Sequence, residues 1–230
     1  MSHDDKPTAR DPSAILEVTG LSQWYAIGAR FLGPAQHLRA VDNVTFSLAR
    51  QEVLGLVGES GSGKSTLGRA VLRLIKPTSG RIVFEGQDVT HMSRGQLRPL
   101  RPRMQLIFQD PFTSLNPRMT VGEIIAAPLV IHQKGMKRRR RDERVAEALT
   151  AVGLSERHAR RFPHEFSGGQ RQRIGIARSI MMEPRLLVAD EPVSALDVSV
   201  QAQIVNLLLE IRRKLGLSLL FISHDLAVVG

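Results

Sequence analysis

A short aliphatic run, Val53-Leu54-Gly55-Leu56-Val57, leads directly into Gly58-Glu59-Ser60-Gly61-Ser62-Gly63-Lys64-Ser65 and then into a helical pattern closed by Pro77. No other feature of the sequence restricts the fold as strongly. An apolar strand of this kind belongs inside a parallel sheet, and a helix that follows it at once must pack back onto that sheet. Between them, glycines at 58, 61 and 63 let the backbone curl so that successive N–H groups point inward. The pattern is G-x-x-x-x-G-K-[ST] in the strand-to-helix setting that a phosphate-binding loop requires. The amides and the positive end of the helix surround a β-phosphate, Lys64 reaches the β and γ oxygens, and the Ser65 hydroxyl ligates Mg²⁺. The residues expected to hold the nucleotide are Gly58, Glu59, Ser60, Gly61, Ser62, Gly63, Lys64, Ser65 and Thr66.

The remaining pattern is that of an α/β chain. Strands are expected at Ile15–Leu21, Val44–Leu48, Glu52–Val57, Arg81–Phe84, Met104–Phe108, Arg185–Ala189 and Leu217–Ser223. Four of them, containing VLGLV, MQLIF, RLLVA and LSLLFIS, are near-continuous aliphatic runs that call for cover on both faces, whereas Val44, Phe46 and Leu48 alternate like a half-exposed antiparallel strand. Helices are expected at Gly63–Ile75, at Val121–Ala127 ahead of Pro128, and at about Arg138–Val152 with Gly153 as its cap. Two more are expected at Gly168–Met182 and at Val198–Leu215 ahead of Gly216. The first fourteen residues are polar, hold two prolines and read as a loose tail without the apolar stretch of a secretory signal.

Two further stations carry chemistry. Leu186-Leu187-Val188-Ala189-Asp190-Glu191 is an apolar strand ending in two carboxylates, where Asp190 is suited to hold Mg²⁺ through a water and Glu191 to polarise a water attacking the γ-phosphate. Phe166-Ser167-Gly168-Gly169-Gln170 opens a helix with a capping serine and two glycines that bare its first amides, making a second anion-binding end. One nucleotide cannot easily use both ends.

Composition narrows the field. With no cysteine, the chain has no disulfides, thiolate metal sites or cysteine nucleophiles. Apolar runs such as Ile124–Ile131 fall far short of the roughly 20 residues that span a bilayer. A net charge of +10 favours anionic partners. Basic residues cluster at Lys137–Arg141 and around Arg157, Arg160 and Arg161. They read first as the solvated face of a helix that buries Val145, Ala148, Leu149 and Val152, with nucleic acid or anionic lipid headgroups as the functional alternative.

The P-loop, Gln109 after the MQLIF strand, the FSGGQ segment, LLVADE, Ser194-Ala195-Leu196-Asp197 and His224 after the last strand stand in an order that resembles the nucleotide-binding subunit of an ATP-binding cassette (ABC) transporter. The resemblance covers nearly the whole chain after the tail. It implies a P-loop NTPase with a RecA-like parallel sheet core, an N-terminal antiparallel β subdomain and an inserted α-helical subdomain. The corresponding boundaries are a tail at 1–14 and one nucleotide-binding domain at 15–230, with its core at 15–112 and 166–230 and its inserted helices at 113–165. It further implies ATP and Mg²⁺ as ligands and a head-to-tail dimer, homo- or heteromeric, in which Ser167, Gly168, Gly169 and Gln170 close over the ATP of the opposite subunit and Asp197 contacts that subunit. The family pattern makes Tyr25 the aromatic that stacks on adenine, with Trp24 as its rival. Glu191, His224 and Gln109 become the hydrolytic set, and Ser65, Gln109 and Asp190 the metal ligands.

Phe108–Pro111 with Ser114–Arg118, Pro163–Phe166, Ser194–Gln203 and Ser223–Val229 resemble more narrowly the oligopeptide and dipeptide importer branch, in particular its second ATPase subunit. That branch implies a second ATPase subunit, two transmembrane permease subunits, an external solute-binding protein and a place on the cytoplasmic face of the inner membrane. It also serves nickel, glutathione and sugar-conjugate importers, so peptide is the expected solute among several. A nucleic-acid-associated ABC ATPase is the alternative, and the short segment between Gln109 and Ser167 has no room for the long coiled coil such proteins carry. Members of the branch usually continue with a C-terminal extension that is absent here, so a piece of a longer protein is expected.

Overall fold

The computed structural model describes residues 13–27 and 36–225. Its strands form two sheets. The first is antiparallel, in the order β2 (Gln36–Ala49), β1 (Ala14–Ile27), β4 (Ser79–Phe84), β5 (Gln87–Asp88). The second is parallel, in the order β3 (Val53–Val57), β8 (Ser218–Ser223), β7 (Leu186–Asp190), β6 (Met104–Ile107).

The near-continuous apolar strands have a simple physical origin. Along β7, Leu186 and Val188 point into one core while Leu187 and Ala189 point into the other, and along β8 Leu220 and Ile222 oppose Leu219 and Phe221 in the same way. One core lies between the two sheets and includes helix α1 (Lys64–Val71), with Leu16, Leu48, Leu67, Ile82 and Phe84 at its centre. The other is roofed by helices α4 (Val121–His132), α5 (Arg138–Ala151), α6 (Gly168–Ile180) and α7 (Val198–Leu215), with Ile125, Leu129, Leu149, Ile174 and Ile204 fully buried. Short helices α2 (Arg94–Leu97) and α3 (Pro111–Ser114) flank β6.

The structure departs from the sequence expectations at several points. The expected tail gives way one residue early, because Ala14 is buried and pairs with Ala49; residues 1–12 lie outside the described residues. Strands β1 and β2 run far beyond Leu21 and upstream of Val44 as one long ribbon. Register shifts between Val18 and Leu21 and again between Leu21 and Trp24 break the apolar alternation there, so the sequence pattern ends at Leu21 while the pairing continues. Strand β3, expected to be covered on both faces, is only half-buried with Gly55 exposed, since it stands at the sheet edge and pairs with β8 alone among the described residues. Helix α1 stops at Val71, because Arg73 takes a left-handed backbone and buries its guanidinium on the carbonyls of Val89, Ile75 and Met92. Helix α4 passes through Pro128 to His132, held by Ile124, Ile125 and Leu129 in the core despite the lost backbone bond.

The bulge in β1 sets a tight crossing with β4. A Cβ on Gly80, whose φ is +93°, would lie 2.5 Å from the Gly20 carbonyl oxygen and the Leu21 Cα. Gly80→Ala should therefore cost about 2–4 kcal/mol, read as a lowered midpoint in urea unfolding with an unchanged slope.

Candidate functional site

All four strands of the parallel sheet point the same way, so the segments leaving β3, β6, β7 and β8 emerge at one edge. The P-loop leaves β3, Gln109 follows β6, Glu191 follows β7 and His224 follows β8. At the first of these, Gly63 takes φ +88° as the N-cap of α1, and a Cβ there would stand 1.8 Å from the Ala40 carbonyl oxygen of β2. Only glycine lets the loop pass that close to the ribbon.

Lys64 is almost fully buried. Its ammonium donates to the carbonyl oxygens of Gly58 and Glu59 at 2.6 Å each and to Ser62 Oγ at 3.4 Å, and it stands 3.9 Å from Glu191 Oε1. Behind it the Ser65 hydroxyl donates to Asp190 Oδ1 at 2.7 Å. Asp190 is 1% exposed, and burial raises its carboxyl above the ordinary aspartate value against the opposing pull of the Ser65 hydroxyl and of Arg69. Two hard oxygen donors held together at the end of a buried strand, one of them an anion penalised by burial, fit a divalent cation such as Mg²⁺.

Glu191 is the focus of the site. Its amide donates to the Ile222 carbonyl and extends the ladder by one residue, after which its backbone turns left-handed at φ +44°. Such a conformation costs a non-glycine residue about 1–3 kcal/mol. Here it swings the carboxylate back over the sheet edge, where Gln109 Nε2 donates to Oε2 at 2.8 Å and His224 Nδ1 lies 3.6 Å from the same oxygen. Lys64, Gln109 and His224 thus approach one carboxylate from three separate strand ends.

A cleft of about 470 Å³ opens over this group, lined by Ser60 through Thr66, Gln109 and Glu191. Gly58 and Glu59 contribute their carbonyls to Lys64 instead of lining it. Of the two aromatic candidates, Tyr25 lines the cleft and Trp24 does not. Adjacent strand residues face opposite ways, and Trp24 is covered by the Arg39 guanidinium 4.8 Å from its ring centroid. Leu38, Arg39 and Ala40 also line the cleft and were missed by sequence reasoning, because their stretch of β2 lay in the ribbon whose alternation the bulges scramble.

Ser167, Gly168, Gly169 and Gln170 lie outside this cleft. Ser167 caps α6 reciprocally with Gln170: the Gln170 amide donates to Ser167 Oγ at 3.3 Å and the Ser167 amide donates to Gln170 Oε1 at 3.1 Å. Cβ atoms on Gly168 and Gly169 would meet Leu196 at 3.3 Å and Val200 at 2.6 Å, so the two glycines let α6 start hard against the start of α7. Asp197, the N-cap residue of α7, is exposed.

The family model "ABC transporter" matches residues 41–194. The chain belongs to the ABC transporter family. The cassette is 57% identical over 215 residues to a Brucella ovis protein named for peptide import ATP binding, spanning 94% of this chain and 66% of that one. It is 51% identical over 216 residues to the oligopeptide transport ATP-binding protein OppF of Bacillus subtilis, spanning 94% and 69%. The chain therefore spans about two thirds of the length of the curated relatives it matches. Among solved structures, the ATP-binding cassette MJ0796, in a dimeric post-hydrolysis state bound to ADP and Pi, superposes with a TM-score of 0.82 at 29% identity, covering 93% of this chain and 89% of that one. The fold is accordingly the ABC ATPase fold, a P-loop NTPase core of parallel strands with an antiparallel sheet and helices.

The buried charge at Asp190 has a measurable consequence. Because its folded-state carboxyl takes up a proton at higher pH than in the unfolded chain, this group favours folding as pH falls through the raised value and disfavours it above. Asp190→Asn removes that penalty while keeping an oxygen for Ser65. The variant should melt at or above the wild-type temperature near neutral pH and lose the Asp190 contribution to the pH slope of the melting temperature.

Proposed function

We propose that this cassette is the ATP-binding and ATP-hydrolysing motor subunit of an importer for peptides or related small solutes. The observation that carries the reading is the convergence of Lys64, Gln109 and His224 on the Glu191 carboxylate, directly beside the Ser65–Asp190 pair. ATP is taken to lie along the cleft, with its adenine on Tyr25 and its phosphates on Gly58–Thr66. Lys64 would exchange its two loop carbonyls for phosphoryl oxygens. Ser65, Asp190 and Gln109 would hold Mg²⁺, which when bound neutralises charge on the β and γ oxygens.

Glu191 would accept a hydrogen bond from the attacking water, aim the water's lone pair at the γ-phosphorus and take up its proton as the bond to the β–γ bridging oxygen breaks and ADP leaves, while Gln109 and His224 fix the orientation of the carboxylate. Bringing the γ-phosphate into the cleft also weakens the Lys64–Glu191 attraction, leaving the carboxylate free to act on water. The Ser167–Gln170 end supports a head-to-tail pair, with this chain or with a second ATPase subunit, because it is a glycine-bared helix start set apart from its own cleft. The helices of the 113–165 segment, reached through Gln109, are proposed as the inserted subdomain that works two permease subunits fed by an external solute-binding protein. No helix among the described residues is long and apolar enough to cross a membrane. A place on the cytoplasmic face of the membrane would then come through the permeases. The named relatives are peptide transport proteins, which supports peptide as the solute and lends nothing to the nucleic-acid alternative.

Three variants test the assignment. Lys64→Ala should abolish ATP hydrolysis and weaken ATP binding in an equilibrium titration. Glu191→Gln keeps an acceptor for Gln109 and should lower kcat about 100- to 10,000-fold while ATP still binds and holds a closed dimer in size-exclusion chromatography. Hydrolysis at the wild-type rate in that variant would remove Glu191 from its role. Ser167→Arg should leave ATP binding intact and block ATP-driven dimerisation; a dimer that forms unchanged would count against the head-to-tail arrangement.

A further inference from the structure

The segment from Lys134 to Arg161 carries ten Lys and Arg against four Asp and Glu, a net +6 out of +10 for the chain. Its cations are not locked away. Arg138 and Arg139, at 87% and 93% side-chain exposure, meet Asp142 and Glu143 at 3.7 and 3.1 Å one helical turn on. Exposed pairs of that kind are worth at most about 1 kcal/mol and exchange readily for other anions. Arg141, Arg157 and Arg160 have no ion-pair partner among the described residues.

The same surface carries exposed aliphatic side chains. Val130 and Ile131, at the end of α4, are 51% and 54% exposed and share a groove with Arg138, Arg141 and Arg160. Of the three carboxylates on that groove two are already engaged: Glu123 accepts from the Thr120 amide and hydroxyl, and Asp142 pairs with Arg138, while Glu156 stands exposed. The charge surplus belongs to the whole Lys134–Arg161 segment, so what faces solvent is a net-cationic surface around an aliphatic tip.

We propose that this surface of α4 and α5 binds the headgroup layer of an anionic lipid bilayer. Arginines neutralise lipid phosphates while Val130 and Ile131 enter the acyl boundary. The pairing of charge with aliphatic carbon argues for a bilayer over nucleic acid, since a nucleic-acid surface offers the exposed Val130 and Ile131 side chains no apolar phase and gains most from aromatic side chains. Nucleotide chemistry at the P-loop plays no part in this surface, so a failed vesicle test leaves the proposed motor intact.

The test is co-sedimentation of the full chain with vesicles of phosphatidylcholine alone and with vesicles in which half the lipid is phosphatidylglycerol. The protein should pellet with the anionic vesicles, stay in solution with the neutral ones, and be released by salt. Each arginine removed should lower partitioning roughly fivefold, so R138Q/R139Q/R141Q should lower it about a hundredfold with its melting temperature and ATP binding unchanged. V130S/I131S should weaken binding without altering the salt dependence. Equal partitioning into both vesicles, salt-insensitive binding, or full binding by the triple variant would overturn the proposal. Displacement of the protein from anionic vesicles by a lower concentration of duplex oligonucleotide phosphate would overturn it in favour of nucleic acid.

Discussion

The parallel register of four short strands is the constraint on which the site depends. Val57 stands beside Ser223, Asp190 beside Ile222 and Ile107 beside Ala189, so the residues that follow each strand arrive at one edge within reach of one another. No long-range search by flexible loops is needed. The site is precise because each of its groups sits within one or two residues of a strand or helix end whose position two buried cores fix. A strand slipped by one residue would exchange the faces of Leu187 and Val188 and destroy both cores before it moved Glu191, so stability and site geometry are protected by the same packing.

Within that frame the protein stores unfavourable energy where the chemistry lies. Asp190 is held as a nearly inaccessible carboxyl, Lys64 is buried against carbonyls of its own loop, and Glu191 carries a left-handed backbone that a glycine would adopt without strain. Each of these is a poor choice for a resting fold; in the proposed role a triphosphate would supply the anion that Lys64 lacks and a metal ion the cation that Asp190 lacks. The Lys64–Glu191 approach at 3.9 Å gives both groups partial compensation until a ligand arrives.

Much of this was legible from the residues, and the exceptions have physical causes. Strands β7 and β8 could be read because burial on both faces leaves an unbroken apolar run, and α7 because Gly216, at φ +61°, closes it as an αL cap. The β1–β2 ribbon could not be followed past Leu21, since bulges shift the alternation that reveals a strand, and Leu38, Arg39 and Ala40 vanished with it. Pro128 ended the pattern of α4 too early because local propensity was read where tertiary packing decides. The polar site was readable by spacing alone, but its geometry was not: no pattern announces that Glu191 turns left-handed or that Gln109 spans 82 positions to reach it.

The Arg-rich start of α5 shows how charge that is costly at one range is tolerated at another. Cations at a helix N-terminus oppose the helix dipole, yet Asp142, Glu143 and Glu147 follow at the three- and four-residue spacing that sets opposite charges side by side, and Arg144 reaches across to Glu183. The helix is thus neutralised along its own surface, while the surplus from Arg141, Arg157 and Arg160 stays on the outside. A comparable economy links the two phosphate-binding ends. Five residues separate Glu191 from Asp197, and the turn between them is stiff: the Ser194 amide and hydroxyl both donate to the Glu191 carbonyl, and Gln201 Nε2 donates to the Leu196 carbonyl. Since Gly168 and Gly169 seat the start of α6 against Leu196 and Val200, a partner subunit closing over Ser167 in the proposed dimer would press on the segment that aims the Glu191 carboxylate. Closure and water activation would then share one short rigid element, and hydrolysis would wait for the partner.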